Sequence, residues 1–251
     1  MCRHTAMMAA RALAGILRSS SLKVHVDPLV IYGKTSTLRT LGVISSSRQY
    51  ATDKVYEIRT YSLYPKDVKE FMAISEEKLH LRLRASKIIG YWTSEIGGMN
   101  QVFHIWEYDS LKHRAQVRAA LASDPDWLSQ YISRVISMWC KQDNLLTKAI
   151  AGPDGDLDQD KGNLYFLQRY NSNSSSMSNL TSELQSLQSG TNIKLAGGWS
   201  SILGPKDTAY LLWQCKDPDD FLVWQENSSE KVKVVPEHSQ LLIPCPWSPL
   251  K

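Results

Sequence analysis

The chain has 251 residues, of which 43% are apolar and 22% charged, so it resembles a globular protein and not a disordered or collagen-like one. No stretch approaches the roughly 18 consecutive apolar residues of a membrane-spanning helix, so no membrane insertion is expected. The net charge of +4 is concentrated in residues 1–50, which hold seven basic side chains and one acidic one. Residues 51–251 hold 22 basic and 24 acidic side chains, a balance that excludes a general attraction for nucleic acid.

The first 50 residues are typical of a mitochondrial targeting presequence. On a helical wheel, Arg3, Arg11 and Arg18 fall within about 80° of one another, while aliphatic residues gather on another side. The stretch ends with Arg48, Gln49, Tyr50 and Ala51, which fits the matrix-processing pattern of arginine, any residue, an aromatic and a small residue. Cleavage is therefore predicted between Tyr50 and Ala51, and the location is the mitochondrial matrix, with a cytosolic pool left open. The alternative is a disordered basic tail.

The four cysteines form no C-x-x-C pair, and only three of them lie beyond the presequence. This count argues against a disulfide framework and against a structural zinc site. We expect reduced thiols and no metal ion.

The rest of the chain is duplicated. Residues 90–97 (GYWTSEIG) align without gaps with residues 197–204 (GGWSSILG), and residues 56–61 resemble residues 165–170. The register continues beyond the first match, pairing Phe103 with Tyr210, Ile105 with Leu212, Trp106 with Trp213 and Glu107 with Gln214. Matches in the same order at two places indicate two copies of one unit.

Each copy shows the element order β-α-β-β-α-β. In the first, strands are predicted at residues 55–63, 90–96, 101–108 and 144–150, with helices at 68–84, 111–122 and 127–140. In the second, strands are predicted at 164–170, 195–215 (a hairpin) and 240–244, with helices near 177–187 and 218–225. The predicted domains are 51–150 and 163–251, each ferredoxin-like, separated by a linker at 151–162.

Such a fold is α+β, with helices on one face of each four-stranded antiparallel sheet. The other face is also apolar, so two sheets should pack face to face as an α/β barrel. The sequence leaves open whether the barrel closes within the chain, as an internal pseudo-dimer, or between two chains of a homodimer.

Several segments resemble the NipSnap family, namely residues 56–61 (YEIRTY), 90–92 (GYW), 102–106 (VFHIW) and 241–244 (LLIP). The ending at 248–251 (SPLK) is similar to the third NipSnap subgroup. The resemblance implies a dimeric α/β-barrel fold, association with mitochondria, and a part in vesicle trafficking or in marking damaged mitochondria for autophagy, with trafficking or autophagy factors as partners. It carries no catalytic residues and no cofactor.

Two histidines are candidates for chemistry. His104 lies mid-strand and would act as a general base or haem ligand if it faced a barrel cavity, because imidazole titrates near neutral pH. The alternative is a packed sheet histidine, which its repeat counterpart Leu211 favours. His80, on the first helix, is a weaker candidate, and a solvated helix end explains it equally well.

Glu57, Arg59 and Tyr61 alternate onto one face of the first strand. If that face lines the barrel, Arg59 could grip an anionic ligand. The favoured alternative is a cross-strand ion pair of Arg59 with Glu95 or Glu107.

We therefore expect a non-enzymatic mitochondrial interaction protein. The alternative is a small oxidoreductase or monooxygenase that uses the barrel cavity and binds haem. No catalytic, cofactor or metal residues are assigned.

Overall fold

The computed structural model describes residues 54–152, 157, 162–171, 183–186, 191–231 and 235–251. The presequence, its cleavage point at Tyr50 and Ala51, and most of the predicted helix at 177–187 lie outside the described residues. Of that helix, residues 183–186 are described and are helical.

The first half contains four strands and two helical regions in the predicted order. The strands are β1 (Val55–Leu63), β2 (Lys87–Ile96), β3 (Gln101–Tyr108) and β4 (Trp139–Ala151). The helices are α1 (Val68–Lys78), α2 (His80–Leu83), α3 (Leu111–Ser123), α4 (Pro125–Trp127) and α5 (Ser133–Val135). The second helical region is interrupted at Asp124, whose extended backbone separates α3 from α4 as the Asp-Pro pair predicts. A π-helical turn, Leu128–Ile132, then joins α4 to α5.

The second half repeats the strands. They are β5 (Leu164–Asn171), β6 (Lys194–Leu203), β7 (Thr208–Cys215) and β8 (His238–Pro244), and helix α6 (Pro218–Lys231) joins β7 to β8. Helix α6 extends six residues beyond its predicted end at Gln225. The extension is polar and carries no apolar periodicity, so the sequence offered no signal for it.

The eight strands form one closed antiparallel barrel in the order β1-β3-β2-β8-β5-β7-β6-β4. Each half contributes a sheet of ferredoxin-like order, β4-β1-β3-β2 and β8-β5-β7-β6. The pairs β2–β8 and β4–β6 join the two sheets at both edges. The predicted fold class is confirmed, and the barrel closes within one chain because both joining edges belong to it.

Strand β4 begins five residues earlier than predicted. Residues 139–143 read Trp-Cys-Lys-Gln-Asp and are largely exposed, a composition with low strand propensity. They are nevertheless paired with the far end of β1, where Ser62 faces Lys141 and Leu63 faces Trp139. The partner strand supplies the hydrogen bonds that extend β4, which local propensity does not reveal.

The repeated Gly-x-Trp motif has a steric cause. A Cβ atom on Gly90 would lie 2.1 Å from the Trp92 indole, and one on Gly197 would lie 2.4 Å from the Trp199 indole. The strand register also shifts in both copies beside this glycine. The glycine is therefore required because the tryptophan two residues later lies over its backbone.

The turns that end the two hairpins are also equivalent. Gly97 and Gly204 adopt positive φ, as do Asn100 and Asp207, with φ of 57° and 52°. Glycine, asparagine and aspartate are the residues that adopt this left-handed conformation at least cost. The duplication seen in the sequence thus extends to backbone conformation.

The sheet has two buried faces. On the inner face, eleven aromatic and aliphatic side chains from both halves pack together. They are Ile58, Trp92, Phe103, Ile105, Tyr165, Leu167, Ala196, Trp199, Tyr210, Leu212 and Leu242. On the outer face, the first half packs against its helices through Phe71, Ile74 and Val117, and Cys245 from the chain end joins this cluster. The second half packs against helix α6 through Phe221 and Trp224.

Candidate functional site

The predicted face of β1 lies outside the barrel. Ile58 points into the barrel interior, so the alternating residues Glu57, Arg59 and Tyr61 point toward the helices of the first half. His104 lies directly opposite Arg59 in the β1–β3 pairing and shares this outer face. These side chains therefore do not line the barrel interior and meet instead between the sheet and helices α1–α3.

Two of the candidate residues lie elsewhere. Glu107 is on the inner face of β3, near one end of the barrel, where it pairs with Lys54 at 2.6 Å and Lys87 at 3.4 Å. His80 is exposed on α2, and its Nδ1 lies 2.9 Å from the backbone oxygen of Glu77. Neither residue joins the cluster around Arg59.

Glu57 is the centre of the cluster and is completely buried. Its Oε1 accepts hydrogen bonds from Arg114 at 2.7 Å and from Asn144 at 2.8 Å, and its Oε2 accepts one from the Tyr108 hydroxyl at 3.2 Å. Burial alone would raise the pKa of Glu57, but Arg59 and the donors Arg114 and Asn144 outweigh it and lower the pKa to about 2. The carboxylate is therefore ionised at neutral pH.

Arg59 pairs with Glu57 and not with Glu95 or Glu107 as expected. Its Nε lies 3.5 Å from Glu57 Oε1, and its guanidinium carbon lies 5.3 Å from the centre of the Tyr61 ring. The distance to Glu57 is too long for a good hydrogen bond, and the buried Nε has no hydrogen-bond partner. Only 14% of the side chain is exposed.

Arg82, on α2, is a second buried arginine, with 3% exposure. It donates to the Tyr108 hydroxyl at 2.9 Å and to Ser86 at 2.6 Å, and it stacks on the Trp106 ring at 3.8 Å. All these partners are neutral. Burial lowers the pKa of Arg82, and the nearby Arg59 charge lowers it further. No carboxylate in the described part of the chain forms an ion pair with Arg82.

His104 is held as a neutral ring. The Trp106 indole donates to its Nδ1 at 2.6 Å, so the neutral imidazole carries its proton on Nε2. Tyr91 stacks on the ring at 4.6 Å, and Tyr61 meets it edge-on at 4.9 Å. Burial, followed by the Arg59 and Arg82 charges, holds the pKa of His104 well below its ordinary value. The Nε2 donor is buried and has no hydrogen-bond partner.

Helix α3 contributes two more arginines, which sequence reasoning missed. Arg114 and Arg118 lie among the buried Val117 and Leu121, at the i, i+3, i+4, i+7 spacing of one helix face. Two arginines within the apolar stripe of a helix are the signal that could have found them. Burial, and next the Arg59 charge, lower the pKa of Arg118.

The second half holds neutral residues at the equivalent positions. Phe166 replaces Glu57 and Phe221 replaces Arg114, and these two rings stack with centroids 3.7 Å apart. Gln168 replaces Arg59 and Gln225 replaces Arg118, and the two amides share a hydrogen bond of 3.2 Å. A further difference is that Leu211 stands in place of His104. At these positions the fold is therefore built twice, once with charged side chains and once with neutral ones.

Gln168, the counterpart of Arg59 in the second half, has all of its polar atoms hydrogen-bonded. Its amide oxygen accepts from the Trp213 indole at 2.9 Å and from the Tyr170 hydroxyl at 2.7 Å, while its nitrogen donates to Gln225. The corresponding place in the first half holds Arg59 and Arg118, two cations without an acceptor between them in the described chain.

Within the described ranges, no group of three or more histidine, cysteine, aspartate or glutamate side chains is arranged to hold a metal ion. No helix in the same ranges is long and apolar enough to cross a membrane. Cys215 and Cys245 are buried free thiols, and burial raises the pKa of each to about 12.

The molecule is thus a single-chain α/β barrel made of two ferredoxin-like halves, the first of which carries a buried arginine cluster. Residues 56–151 match the family model named NIPSNAP. The human NipSnap homolog 3A is 31% identical over 213 residues, which cover 78% of this chain and 85% of that protein. The human NipSnap homolog 3B is 31% identical over 221 residues, covering 81% and 88%. The chain belongs to the NipSnap family.

Solved structures agree on the fold. A provisionally named monooxygenase from Fusobacterium nucleatum superposes with a TM-score of 0.59 at 8% identity, covering 78% of this chain and 94% of that one. Another, from Lactobacillus acidophilus, gives a TM-score of 0.56 at 10% identity, with 76% and 93% coverage. At these identities the likeness describes architecture and assigns no reaction.

Proposed function

We propose that this NipSnap protein is a mitochondrial binding protein whose barrel is structural and does not house a reaction. The observation that carries the proposal is the inner face of the barrel, where eleven buried aromatic and aliphatic side chains from both halves pack together. His104, the candidate base or haem ligand, lies on the other face with its Nδ1 engaged by Trp106. Both observations disfavour an oxidoreductase that uses the barrel interior.

Haem titration of the purified full chain tests this proposal against the oxidoreductase alternative. We expect no stoichiometric Soret band. A stoichiometric band in the wild type that His104→Ala removes and His80→Ala preserves would contradict the proposal, because His80 is exposed and outside the cluster. Because His104 is buried among aromatic rings, the fold of His104→Ala is checked by circular dichroism.

The location rests on the basic, amphipathic character of the first 50 residues, which residues 51–251 do not share. The full chain is incubated with isolated mitochondria, with and without a membrane potential, and the protease-protected product is sequenced from its N-terminus. We expect a potential-dependent product that begins at or next to Ala51. A matched variant with Arg3, Arg11 and Arg18 changed to glutamine should import less. A protected chain that keeps residues 1–50, or no protected chain, would contradict the proposal.

The binding partners that we propose for this chain are trafficking or autophagy proteins. Its membership of the NipSnap family supports this part of the proposal. Damaged mitochondria lose the potential that drives import, so unimported chain would accumulate at their surface and be available to such proteins. Surface labelling and cross-linking after depolarisation should recover the chain with autophagy factors. A chain that stays protease-protected after depolarisation would contradict this part of the proposal.

A further inference from the structure

The cluster of charged side chains between the first sheet and helices α1–α3 contains more positive charge than its single carboxylate can balance. Glu57 is the one acidic residue that forms an ion pair with any of Arg59, Arg82, Arg114 and Arg118 in the described chain. Four arginines against one glutamate leave three positive charges in excess. Buried charges without partners cost several kcal/mol, so such an arrangement requires a reason.

The fold itself is not that reason. The second half has the same strands, the same hairpin and an equivalent helix, and it places the neutral pairs Phe166–Phe221 and Gln168–Gln225 where the first half has charges. These pairs are closely packed and hydrogen-bonded. The first half could therefore be built without arginines at 59, 114 and 118.

Free donors converge on one place in the first half. Arg59 Nε and His104 Nε2 are buried without hydrogen-bond partners, and these residues are directly opposite each other on β1 and β3. Arg118 occupies the position of Gln225, which is hydrogen-bonded to Gln168 in the second half. Because Gln168 corresponds to Arg59, Arg118 faces Arg59 from α3. Arg114 Nε is a further buried donor without a partner.

We propose that the first half of the barrel binds a small molecule through an oxyanion group, a carboxylate or a phosphate, held between Arg59 and Arg118 with His104 Nε2 as an additional donor. A negative charge there would relieve the repulsion between the two arginines and would satisfy donors that are otherwise buried alone. The planar guanidinium fork matches the geometry of carboxylate and phosphate oxygens.

The other groups define the site further. Glu57 is already saturated by Arg114, Asn144 and Tyr108, so it positions Arg59 and does not compete for Arg118. Arg82 donates its hydrogen bonds to Ser86 and to the Tyr108 hydroxyl. It therefore contributes positive charge to the site without contacting the anion. Neutral His104 remains a donor over the whole physiological pH range.

Thermal unfolding of the purified full chain tests the site. Inorganic phosphate and benzoate are compared with chloride at equal ionic strength, so general screening is the same in each arm. At about 100 times its dissociation constant, a bound anion should raise the melting temperature by about 5 °C or more. The arm that shows the rise, phosphate or benzoate, identifies the preferred oxyanion.

Arg118→Gln gives the first half the glutamine that the second half has at this position. It should unfold at the same temperature as wild type or higher without anion, because it removes a repulsive charge, and it should lose the anion-dependent rise. Lys112→Gln is the matched control, since Lys112 is exposed on the same helix, and it should keep the rise.

Isothermal titration gives a second, independent measurement. Arg118→Gln and Arg59→Gln should each weaken anion binding about tenfold or more, the effect of losing one charge-assisted hydrogen bond. The proposal is overturned if neither phosphate nor benzoate binds the wild type more than chloride does, or if Arg118→Gln binds as well as Lys112→Gln does. These outcomes are independent of where in the cell the protein acts.

Discussion

Glu57 is the residue on which the electrostatics of the first half depend. It is completely buried, it accepts three hydrogen bonds, and it pairs with Arg59 and Arg114. Removing such a carboxylate leaves buried arginines with no counter-charge, which costs more than the loss of a surface pair. Its importance was invisible in the sequence, where it appeared only as one of three alternating residues on a strand.

Stability should depend on pH through this residue. The pKa of Glu57 falls from an ordinary 4.5 in the unfolded chain to about 2 in the folded one. The stabilisation is therefore complete above pH 4.5 and is lost as the pH falls toward 2. A shift of this size corresponds to about 3 kcal/mol, an order-of-magnitude value.

Urea unfolding of Glu57→Gln at several pH values checks this expectation. The variant should be less stable than wild type by about 3 kcal/mol at pH 7, and the gap should shrink steadily below pH 4.5. Glu76→Gln, an exposed glutamate on α1, is the matched control and should change stability by less than about 0.5 kcal/mol at any of these pH values. A gap for Glu57→Gln that does not change with pH would contradict the assigned role.

At the scale of elements, the Gly-x-Trp hairpin determines how β2 and β6 approach their neighbours. The register shift beside the glycine and the indole that lies over it occur in both halves. The shared positions of the two copies are those that the hairpin requires for steric reasons. Elsewhere the two halves differ in charge and polarity, with His104 against Leu211 on the strand and Arg118 against Gln225 on the helix.

Gly90→Ala should destabilise the protein by about 1–3 kcal/mol, because the new methyl group would meet the Trp92 indole at 2.1 Å and force it to move. Gly152→Ala makes the same change where nothing lies within 4 Å of the added carbon, so it is the matched control. Chemical unfolding measures both. Equal stabilities for the two variants would mean that the tryptophan does not require this glycine.

At the scale of the whole molecule, the barrel interior belongs to both halves. Strand β8, from the end of the chain, is inserted between β2 and β5, and its Leu242 packs in the common interior. Each outer face, by contrast, packs mainly against helices of its own half, and Cys245 from the chain end joins the outer cluster of the first half. Because the closing strands and the interior are shared, we expect the two halves to unfold together.

Leu242→Ala should therefore lower the stability of both halves at once, by about 2–5 kcal/mol. Ile243→Ala, one residue later and partly exposed, points to the other side of β8 and should cost less than about 1.5 kcal/mol. Unfolding followed by tryptophan fluorescence and by far-ultraviolet circular dichroism should give one coincident transition for each variant. Two separate transitions for Leu242→Ala would indicate halves that fold independently.

Most of the fold was predictable because its signals are local. Apolar periodicity placed β1, β3 and α3 within a residue of their observed bounds, and the two copies of the Gly-Trp hairpin revealed the duplication. The start of β4 was missed because Lys141, Gln142 and Asp143 join the sheet through pairing with β1 and not through their own propensity.

The site was only half predictable. Arg59, Tyr61 and His104 could be selected from their alternation along two strands, and their common face follows from antiparallel pairing. Alternation does not tell which face is inside a barrel when both faces are apolar, so the sequence left open on which side of the sheet these side chains lie. Arg82, Arg114 and Arg118 come from helices, and their approach to Arg59 depends on how those helices pack.

The sequence by itself thus determined the duplicated α+β architecture, the family and the steric core of the hairpin, because these depend on periodicity and on glycine and tryptophan at fixed spacing. Tertiary structure alone decided that the barrel closes within one chain, that aromatic and aliphatic side chains from both halves pack in its interior, and that four arginines meet one glutamate beneath the helices of the first half. Charge interactions depend on distance in three dimensions, and residues 57, 82 and 118 become neighbours only when the sheet and helices are assembled.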